Sequence, residues 1–241
     1  MQKRLDVYLS ENNTVKSRSL AALLIKQGSV EVNGRICTKA SFAVDENDNI
    51  RIIGEMPKYV GRGGMKLEKA LSHYRLHLDG SVCIDIGAST GGFTDCMLQN
   101  GAVKVYSVDV GTDQLDEKLR NDPRVVSMEK TDIRNCVGSL PAVDFIGIDV
   151  SFISLKLVLP SAYALLKNGG ECVALIKPQF EAGKSHLSKH GIVRDSKVHK
   201  KVCDDISEFA STLGFERGEV ISSPITGGDG NTEYLIYLRR L

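Results

Sequence analysis

The chain contains no apolar run long enough to cross a bilayer. A spanning helix needs ~20 predominantly apolar residues, and the longest candidate, Leu157 to Leu166, falls well short. A secretory leader is missing as well, because Met1-Gln2-Lys3-Arg4-Leu5-Asp6 runs into Ser10-Glu11-Asn12-Asn13 with no apolar stretch between. A cytoplasmic protein with no membrane partner is therefore expected. No C-x-x-C pair occurs. The six cysteines (Cys37, Cys83, Cys96, Cys136, Cys172 and Cys203) are scattered, and Cys83 and Cys172 sit inside apolar runs, so free thiols are expected and not zinc ligands or disulfides. His73 and His77 are spaced to share a helix face, as are His186 and His190, yet neither pair has a nearby third ligand, and no metal is expected. Net charge is almost absent too, at a formal +1, which by itself says little about partners.

Local charge is more telling. Within residues 1–39 lie Lys3, Arg4, Lys16, Arg18, Lys26, Arg35 and Lys39 against Asp6, Glu11 and Glu31, whereas residues 40–55 carry Asp45, Glu46, Asp48 and Glu55 with Arg51 alone opposing them. The basic character is confined to one end. At 241 residues the chain can hold a large domain and a small one. The small one begins with a helix over Ser17 to Gln27, for which Ser17 is an N-cap and Gly28 a left-handed C-cap. Val30-Glu31-Val32 then alternates with period two and meets Asn33-Gly34, a strong hairpin signal, before Arg35-Ile36. Ile50 to Ile53 supplies another short strand. Lys16 and Arg18 at the helix N-terminus add cations to a dipole end that already favours phosphate.

The order L-D-x-x-L at Leu5 to Leu9, S-R-S-L-A-A-L-L-I-K-Q-G at Ser17 to Gly28 and V-x-V-N-G at Val30 to Gly34 resembles the RNA-binding domain named after small-subunit ribosomal protein four. The resemblance implies structured RNA as a ligand, with Lys3, Arg4, Lys16 and Arg18 as its contacts in this region. The small α+β domain is placed at 1–57. Pro57, with Gly54 and Gly61, lies between periodic segments, so a linker is placed at 58–63, and a large domain fills 64–241.

In the large domain, apolar runs at Val82 to Ile86, Val103 to Val108, Val125 to Met128, Phe145 to Ile148 and Cys172 to Ile176 alternate with segments of helical length. That is the pattern of an α/β fold around a mostly parallel sheet. Arg217 to Ile221 and Tyr234 to Leu238 are joined by a turn-rich segment and no helix, so an antiparallel pair is expected at one edge. Ligands of such folds sit beyond the carboxyl ends of the strands, and four runs end in charge there: Asp85, Asp109, Asp149 and Lys177.

After the first run comes Asp85-Ile86-Gly87-Ala88-Ser89-Thr90-Gly91-Gly92-Phe93-Thr94-Asp95. Small residues there let the backbone approach a cofactor, and the next helix offers its N-terminus. Asp109 is placed to accept from both hydroxyls of a ribose. A dinucleotide site would share these features but wants G-x-G-x-x-G for its pyrophosphate, and Gly87 is followed by Ala88-Ser89-Thr90. A cofactor with a ribose and no phosphate, such as S-adenosylmethionine, fits better. Asp85, Gly87, Ala88, Ser89, Gly91, Gly92, Phe93, Asp109 and Asp149 are then candidate cofactor contacts, and Asp132 is placed to accept from the adenine amino group.

A second resemblance rests on longer motifs: Tyr59-Val60-Gly61-Arg62-Gly63-Gly64-Met65-Lys66-Leu67-Glu68-Lys69-Ala70-Leu71, the Asp85 to Asp95 segment, Asp149-Val150-Ser151-Phe152-Ile153-Ser154, and Lys177-Pro178-Gln179-Phe180-Glu181-Ala182-Gly183. In this order they resemble the TlyA/hemolysin A family, which is grouped with the FtsJ-like ribose 2′-O-methyltransferases. Gly61 departs from the family, where serine is common. The resemblance implies a Rossmann-like class I methyltransferase fold and a catalytic tetrad of Lys66, Asp149, Lys177 and Glu233. It also implies S-adenosylmethionine as cofactor and a cytidine ribose of ribosomal RNA, free or in ribosomal subunits, as substrate.

A ribose hydroxyl must shed its proton as it attacks a sulfonium methyl, so a base must lie beside it. Lysine, with an ordinary pKa of ~10.4, serves only where its neutral form is favoured. Lys177 is the expected base and Lys66 positions the hydroxyl, with Asp149 and Glu233 orienting the two amines. Arg62 and the basic segment after Lys177, with Lys184, Lys189 and Arg194, complete the expected RNA contacts. Three rival readings were weighed. A dehydrogenase lacks its glycine fingerprint. A non-catalytic RNA-binding or ribosome-assembly protein would not need four tetrad residue types. A membrane-active hemolysin, as the family name suggests, expects a spanning or strongly amphipathic segment that the sequence does not show.

Overall fold

In the computed structural model, residues 2–12, 14–15, 17–54 and 56–241 are described. They form two compact units, Met1–Lys58 and Tyr59–Leu241. The first unit has two helices, α1 (Leu5–Glu11) and α2 (Arg18–Lys26), and five short strands: β1 (Lys3–Arg4), β2 (Val30–Val32), β3 (Arg35–Ile36), β4 (Ala43–Val44) and β5 (Ile50–Ile52). Ser17 caps α2 by accepting from the Leu20 amide. Asn33 and Gly34 both take positive φ, 51° and 78°, the left-handed pair that a two-residue hairpin turn requires. Strand β2 lies between β3 and β5. Leu5, Leu9, Ala21, Leu24, Ile25, Val30 and Val44 close the core. The pairing of β1 with β4 involves two-residue strands that leave no periodic signal. Lys16 falls outside the described residues.

The second unit opens with α3 (Gly63–Tyr74) and continues through β6 (Val82–Ile86), α4 (Gly92–Gln99), β7 (Lys104–Val108), α5 (Glu117–Arg120), β8 (Val125–Met128), β9 (Val143–Ile148), α6 (Leu155–Leu165) and β10 (Leu166–Ile176). It ends with α7 (Pro178–Glu181), α8 (Ser196–Thr212), β11 (Phe215–Ser222) and β12 (Tyr234–Arg240). The seven-stranded sheet has the order β11-β12-β10-β9-β6-β7-β8. Strands β6 to β10 run parallel to one another, and β12 runs against both of its neighbours. The antiparallel pair thus occupies one edge, with β12 one place in from it.

Period-two alternation fills both faces of the sheet. Ile84, Ile86, Ile146, Ile148, Ala174 and Ile176 face one way, toward Leu155, Leu159, Ala162 and Ile206 of α6 and α8. Cys83, Phe145, Val173 and Leu175 face the other, toward Leu67, Ala70, Phe93 and Met97 of α3 and α4. All six cysteines are buried free thiols. Burial pushes the Cys83 thiol up to about 12.

Tyr59 belongs to this core at 3% exposure, and the Val60 amide donates to Asp95 at 2.9 Å. The segment 58–63 is therefore mostly built into the second unit and is not a free linker. Gly61 allows tight packing: a Cβ there would lie 2.5 Å from Thr90 Oγ1, so any side chain at this position would require Thr90 to move.

Strand order reverses between β6 and β9, the place where α/β sheets open a crevice at their carboxyl ends. Gly87, leaving β6 there at φ 84°, has no room for a side chain, since a Cβ would lie 2.5 Å from the Asp149 carbonyl oxygen. Gly87→Ala combines left-handed strain with a backbone overlap, and unfolding in urea should show a loss of about 1–3 kcal/mol or more. An unchanged midpoint would mean that β6 and β9 do not meet this closely.

Candidate active site

Four charged side chains from four elements converge at that end of the sheet. Lys66 lies on the first turns of α3, Asp149 directly follows β9, Lys177 directly follows β10, and Glu233 directly precedes β12. Because β12 is reversed, its first residue arrives where the parallel strands finish: Ile176 pairs with Tyr234, which sets Lys177 and Glu233 side by side. Lys66 Nζ donates to Glu233 Oε2 at 2.7 Å and to Asp149 Oδ2 at 3.3 Å. Lys177 Nζ lies 2.6 Å from Asp149 Oδ1, an ion contact off the hydrogen-bonding direction, and donates to Ser151 Oγ at 3.0 Å. The result is a chain of alternating charge, Lys177–Asp149–Lys66–Glu233. Both lysines are only 7% exposed and Glu233 3%. Burying ions costs several kcal/mol each, which pairing offsets only when geometry and hydrogen bonds are good.

Beneath this cluster, at the end of β6, Asp85 is fully buried. Its Oδ2 accepts from the Thr94 amide at 2.9 Å and the Thr94 hydroxyl at 2.7 Å, while Oδ1 has no hydrogen-bond partner among the described residues. Burial raises this carboxyl to about 7, against the Thr94 hydrogen bonds that lower it, with the Asp149 and Asp109 charges adding to the rise. Asp109 steadies the turn above: its Oδ2 accepts from Ser89 N and its Oδ1 from Gly111 N, both at 2.7 Å. Ser89 itself is exposed with φ 48°, and Ala88 is buried.

Gly91, Gly92 and Phe93 are packed closely against neighbouring elements. Gly91 presses on Leu115 and Leu119, Gly92 lies against the backbone of Gly61, Gly63 and Gly64, and a Cβ on Gly147 would fall 2.7 Å from the Phe93 ring. The closeness that these glycines permit joins α4 to α3 and α5, and the Phe93 ring, 2% exposed, is core. Asp132 caps the short helical turn Ile133–Asn135 and is gripped by Arg134, with Nε at 3.0 Å and Nη2 at 2.6 Å.

The sequence did not single out the groups that hold the catalytic-side loops. Glu181 Oε1 accepts from the Leu155 amide at 2.7 Å and its Oε2 from the Ser154 hydroxyl at 2.6 Å. This ties the loop after Asp149 to the turn after Lys177. Phe152 on the first loop is 90% exposed, takes φ 64°, and meets Phe180 on the second with ring centroids 5.0 Å apart. A non-glycine residue held in left-handed backbone persists only when its surroundings over-determine it, and such residues gather at functional sites.

Of the expected RNA contacts, Arg4 and Arg18 share one carboxylate: Arg4 Nε and Nη2 donate to Asp6 at 2.9 Å each, and Arg18 Nε at 3.0 Å. These two guanidinium groups, which keep unused donors, hold the buried Asp6 carboxyl down at about 2. Lys3 pairs with Glu11. Arg62, Lys184, Lys189 and Arg194 are exposed, and Lys184 begins a short helical turn, Lys184–His186. No cluster of three or more metal-ligating side chains occurs among the described residues.

Residues 59–240 match the model of the FtsJ-like methyltransferases. The chain belongs to that family. Within this FtsJ-like methyltransferase, residues 3–50 match the S4 domain. A Bacillus subtilis protein provisionally named as an rRNA methyltransferase, YqxC, is 46% identical, with 98% of this chain and 85% of that one covered. Hemolysin A of Brachyspira hyodysenteriae is 42% identical over 97% of this chain and 98% of its own. The 16S/23S rRNA (cytidine-2'-O)-methyltransferase TlyA of Mycobacterium tuberculosis is 37% identical over 98% and 89%. A solved Streptococcus thermophilus structure, provisionally described as a hemolysin, superposes with a TM-score of 0.79 at 45% identity, covering 99% of this chain and 88% of that one. Among the described residues, no helix of the FtsJ-like methyltransferase is long and apolar enough to cross a membrane.

The buried Asp85 provides a pH test. Its carboxyl titrates higher folded than unfolded, so between about pH 4 and pH 7 the folded state holds more protons and this group's contribution falls as pH rises. Relative to Asp85→Asn, wild-type stability should drop by up to ~4 kcal/mol across that window. Parallel stability curves for the two proteins would show that Asp85 does not titrate there.

Proposed function

We propose that the protein transfers a methyl group from S-adenosylmethionine to the 2′-hydroxyl of a cytidine ribose in ribosomal RNA, in the cytoplasm. The observation that carries this reading is the buried chain Lys177–Asp149–Lys66–Glu233 at the strand carboxyl ends, in a family of methyltransferases. The name of the Mycobacterium relative supplies the cytidine and the ribosomal RNA, and the S4 match supplies an RNA-binding unit.

The residues present fit the cofactor by their chemistry. S-adenosylmethionine carries an ammonium, a positive sulfur and two ribose hydroxyls, and the crevice offers Asp85 with an orphaned oxygen, Asp109 and Asp149. When bound, the cofactor supplies an electrophilic methyl on sulfur. Lys66, held by Glu233 and Asp149, positions the ribose hydroxyl. Lys177, in its neutral form, would take onto Nζ the proton that the ribose hydroxyl loses. Asp149 acts by orientation, touching both amines. The exposed Phe152 ring, with the half-buried Phe180 ring beside it, offers a face on which a base can stack.

Methyl transfer to ribosomal RNA, followed by mapping of ribose methylation, tests the chemistry. Lys177→Ala should lower kcat by about 10²–10⁴ with cofactor affinity retained, and full activity in this variant would remove the proposed base. RNA binding is tested separately. Arg4→Gln and Arg18→Gln should each weaken binding and reduce the slope of log affinity against log salt by about 1, whereas an unchanged slope would place the RNA elsewhere.

A further inference from the structure

Glu233 is bracketed by two residues that reach the same point on the basic segment 183–195. Val193, buried at 3% exposure, donates its amide to Asn231 Oδ1 at 3.2 Å. Its carbonyl oxygen lies 2.9 Å from His199 Nε2 on α8. A carbonyl can only accept, so Nε2 bears the proton, and in the neutral ring Nδ1 accepts from the Tyr234 hydroxyl at 2.8 Å. Asn231, 2% exposed, also donates from Nδ2 to the Gly191 carbonyl at 3.1 Å. Asn231 stands two residues before Glu233 and Tyr234 directly after it, so both flanks of the carboxylate are fixed to Val193.

The fit around Glu233 is close on its other side. A Cβ on Gly227 would lie 2.6 Å from Glu233 Oε1, and the Gly227 amide donates to the Asn231 carbonyl at 2.9 Å. Glu233 therefore cannot shift toward that turn, and its separation from Lys66 is set by where the strand is pinned. Exposed Arg194 directly follows Val193, and exposed Lys184 and Lys189 lie earlier on the same segment.

We propose that Asn231 and the His199–Tyr234 pair are positioning residues: they make the seating of the basic segment and the alignment of Glu233 with Lys66 a single state, which keeps Lys66 in place to orient the ribose hydroxyl. The proposal rests on the RNA methyltransferase reading above. It assigns no bond-making role to Asn231, His199 or Tyr234.

The test uses the full chain, S-adenosylmethionine and a ribosomal RNA transcript, with Asn231→Ala, Asn231→Asp and Tyr234→Phe. Asn231→Asp keeps the acceptor for Val193 and loses the donor to Gly191, and Tyr234→Phe deletes one hydroxyl. Asn231→Ala should lower kcat on the order of 10- to 100-fold, and the other two should lose less in the same direction. Dissociation constants for cofactor and RNA should stay within about twofold. A purely structural role would lower the melting temperature while leaving kcat per folded molecule intact, and that result overturns the proposal. So does a loss of RNA or cofactor affinity in step with kcat. Should Asn231→Ala fail to fold, the two milder variants decide the matter by the same criteria. A wild-type protein that leaves every ribose unmethylated would defeat the underlying function, whereas an active wild type with Asn231→Asp and Tyr234→Phe at full kcat would defeat only the latch.

Discussion

The structure depends on one constraint: four charges that are nearly removed from water must satisfy one another. Lys66 and Lys177 are each 7% exposed, and every pairing that offsets their burial comes from Asp149, Glu233 or Ser151. Removing Asp149 would leave Lys177 without an ion partner in a poorly solvated place, at a cost of about 3–5 kcal/mol for a broken buried pair. The partners lie far apart in the chain, so the pairing is a statement about topology. Asp149 and Lys177 reach the crevice as successors of neighbouring parallel strands, and Lys66 comes on the helix that covers one sheet face. Glu233 requires the reversal of β12, since a strand running with the others would have begun at the opposite end of the sheet.

That reversal explains why the glycine-rich turn and the charge cluster share one end. Strand order changes direction between β6 and β9, and Gly87 lets the two strand ends approach until no Cβ fits between them. The loops leaving β9 and β10 are then stapled by Glu181, which offers both carboxylate oxygens to Ser154 and Leu155 at the start of α6. A helix N-terminus has unpaired amides that favour an acceptor. Here the acceptor arrives from the neighbouring loop, so capping α6 also sets the spacing between the Asp149 and Lys177 loops.

Most of the parallel sheet was legible in the sequence because its strands are buried on both faces and read as continuous apolar runs, Val82 to Ile86 and Cys172 to Ile176 among them. Asn33-Gly34 and Ser17 were equally plain, since their geometry is local. The convergence of the tetrad was not visible in spacing or periodicity, and it came from the resemblance of whole motifs. What Gly91 and Gly92 pack against was not legible, because composition records that a Cβ is missing and not which neighbour needs the room. Here the neighbours are Leu119 and the backbone of Gly61 to Gly64. Asn231, His199 and Glu181 escaped notice for a related reason: each bonds a backbone group of another segment, and a hydrogen bond to a backbone leaves no residue pattern.

Relatives bear names of two kinds, hemolysin and ribosomal RNA methyltransferase, and the chemistry of the interior favours the second for this chain. A protein that lyses membranes needs apolar surface to deliver to lipid; it gains nothing from two amines and two carboxylates set at the closed end of a crevice. Replacing such a cluster by apolar side chains of similar volume is often neutral or stabilising, so stability alone gives no reason to keep it. What the cluster does provide is a fixed pair of amines beside three acidic strand ends, Asp85, Asp109 and Asp149. That arrangement suits a cationic methyl donor on one side and an alcohol that must lose its proton on the other. The Arg4 and Arg18 guanidinium groups, both anchored on Asp6, are the proposed phosphate contacts, which a lytic function would leave idle.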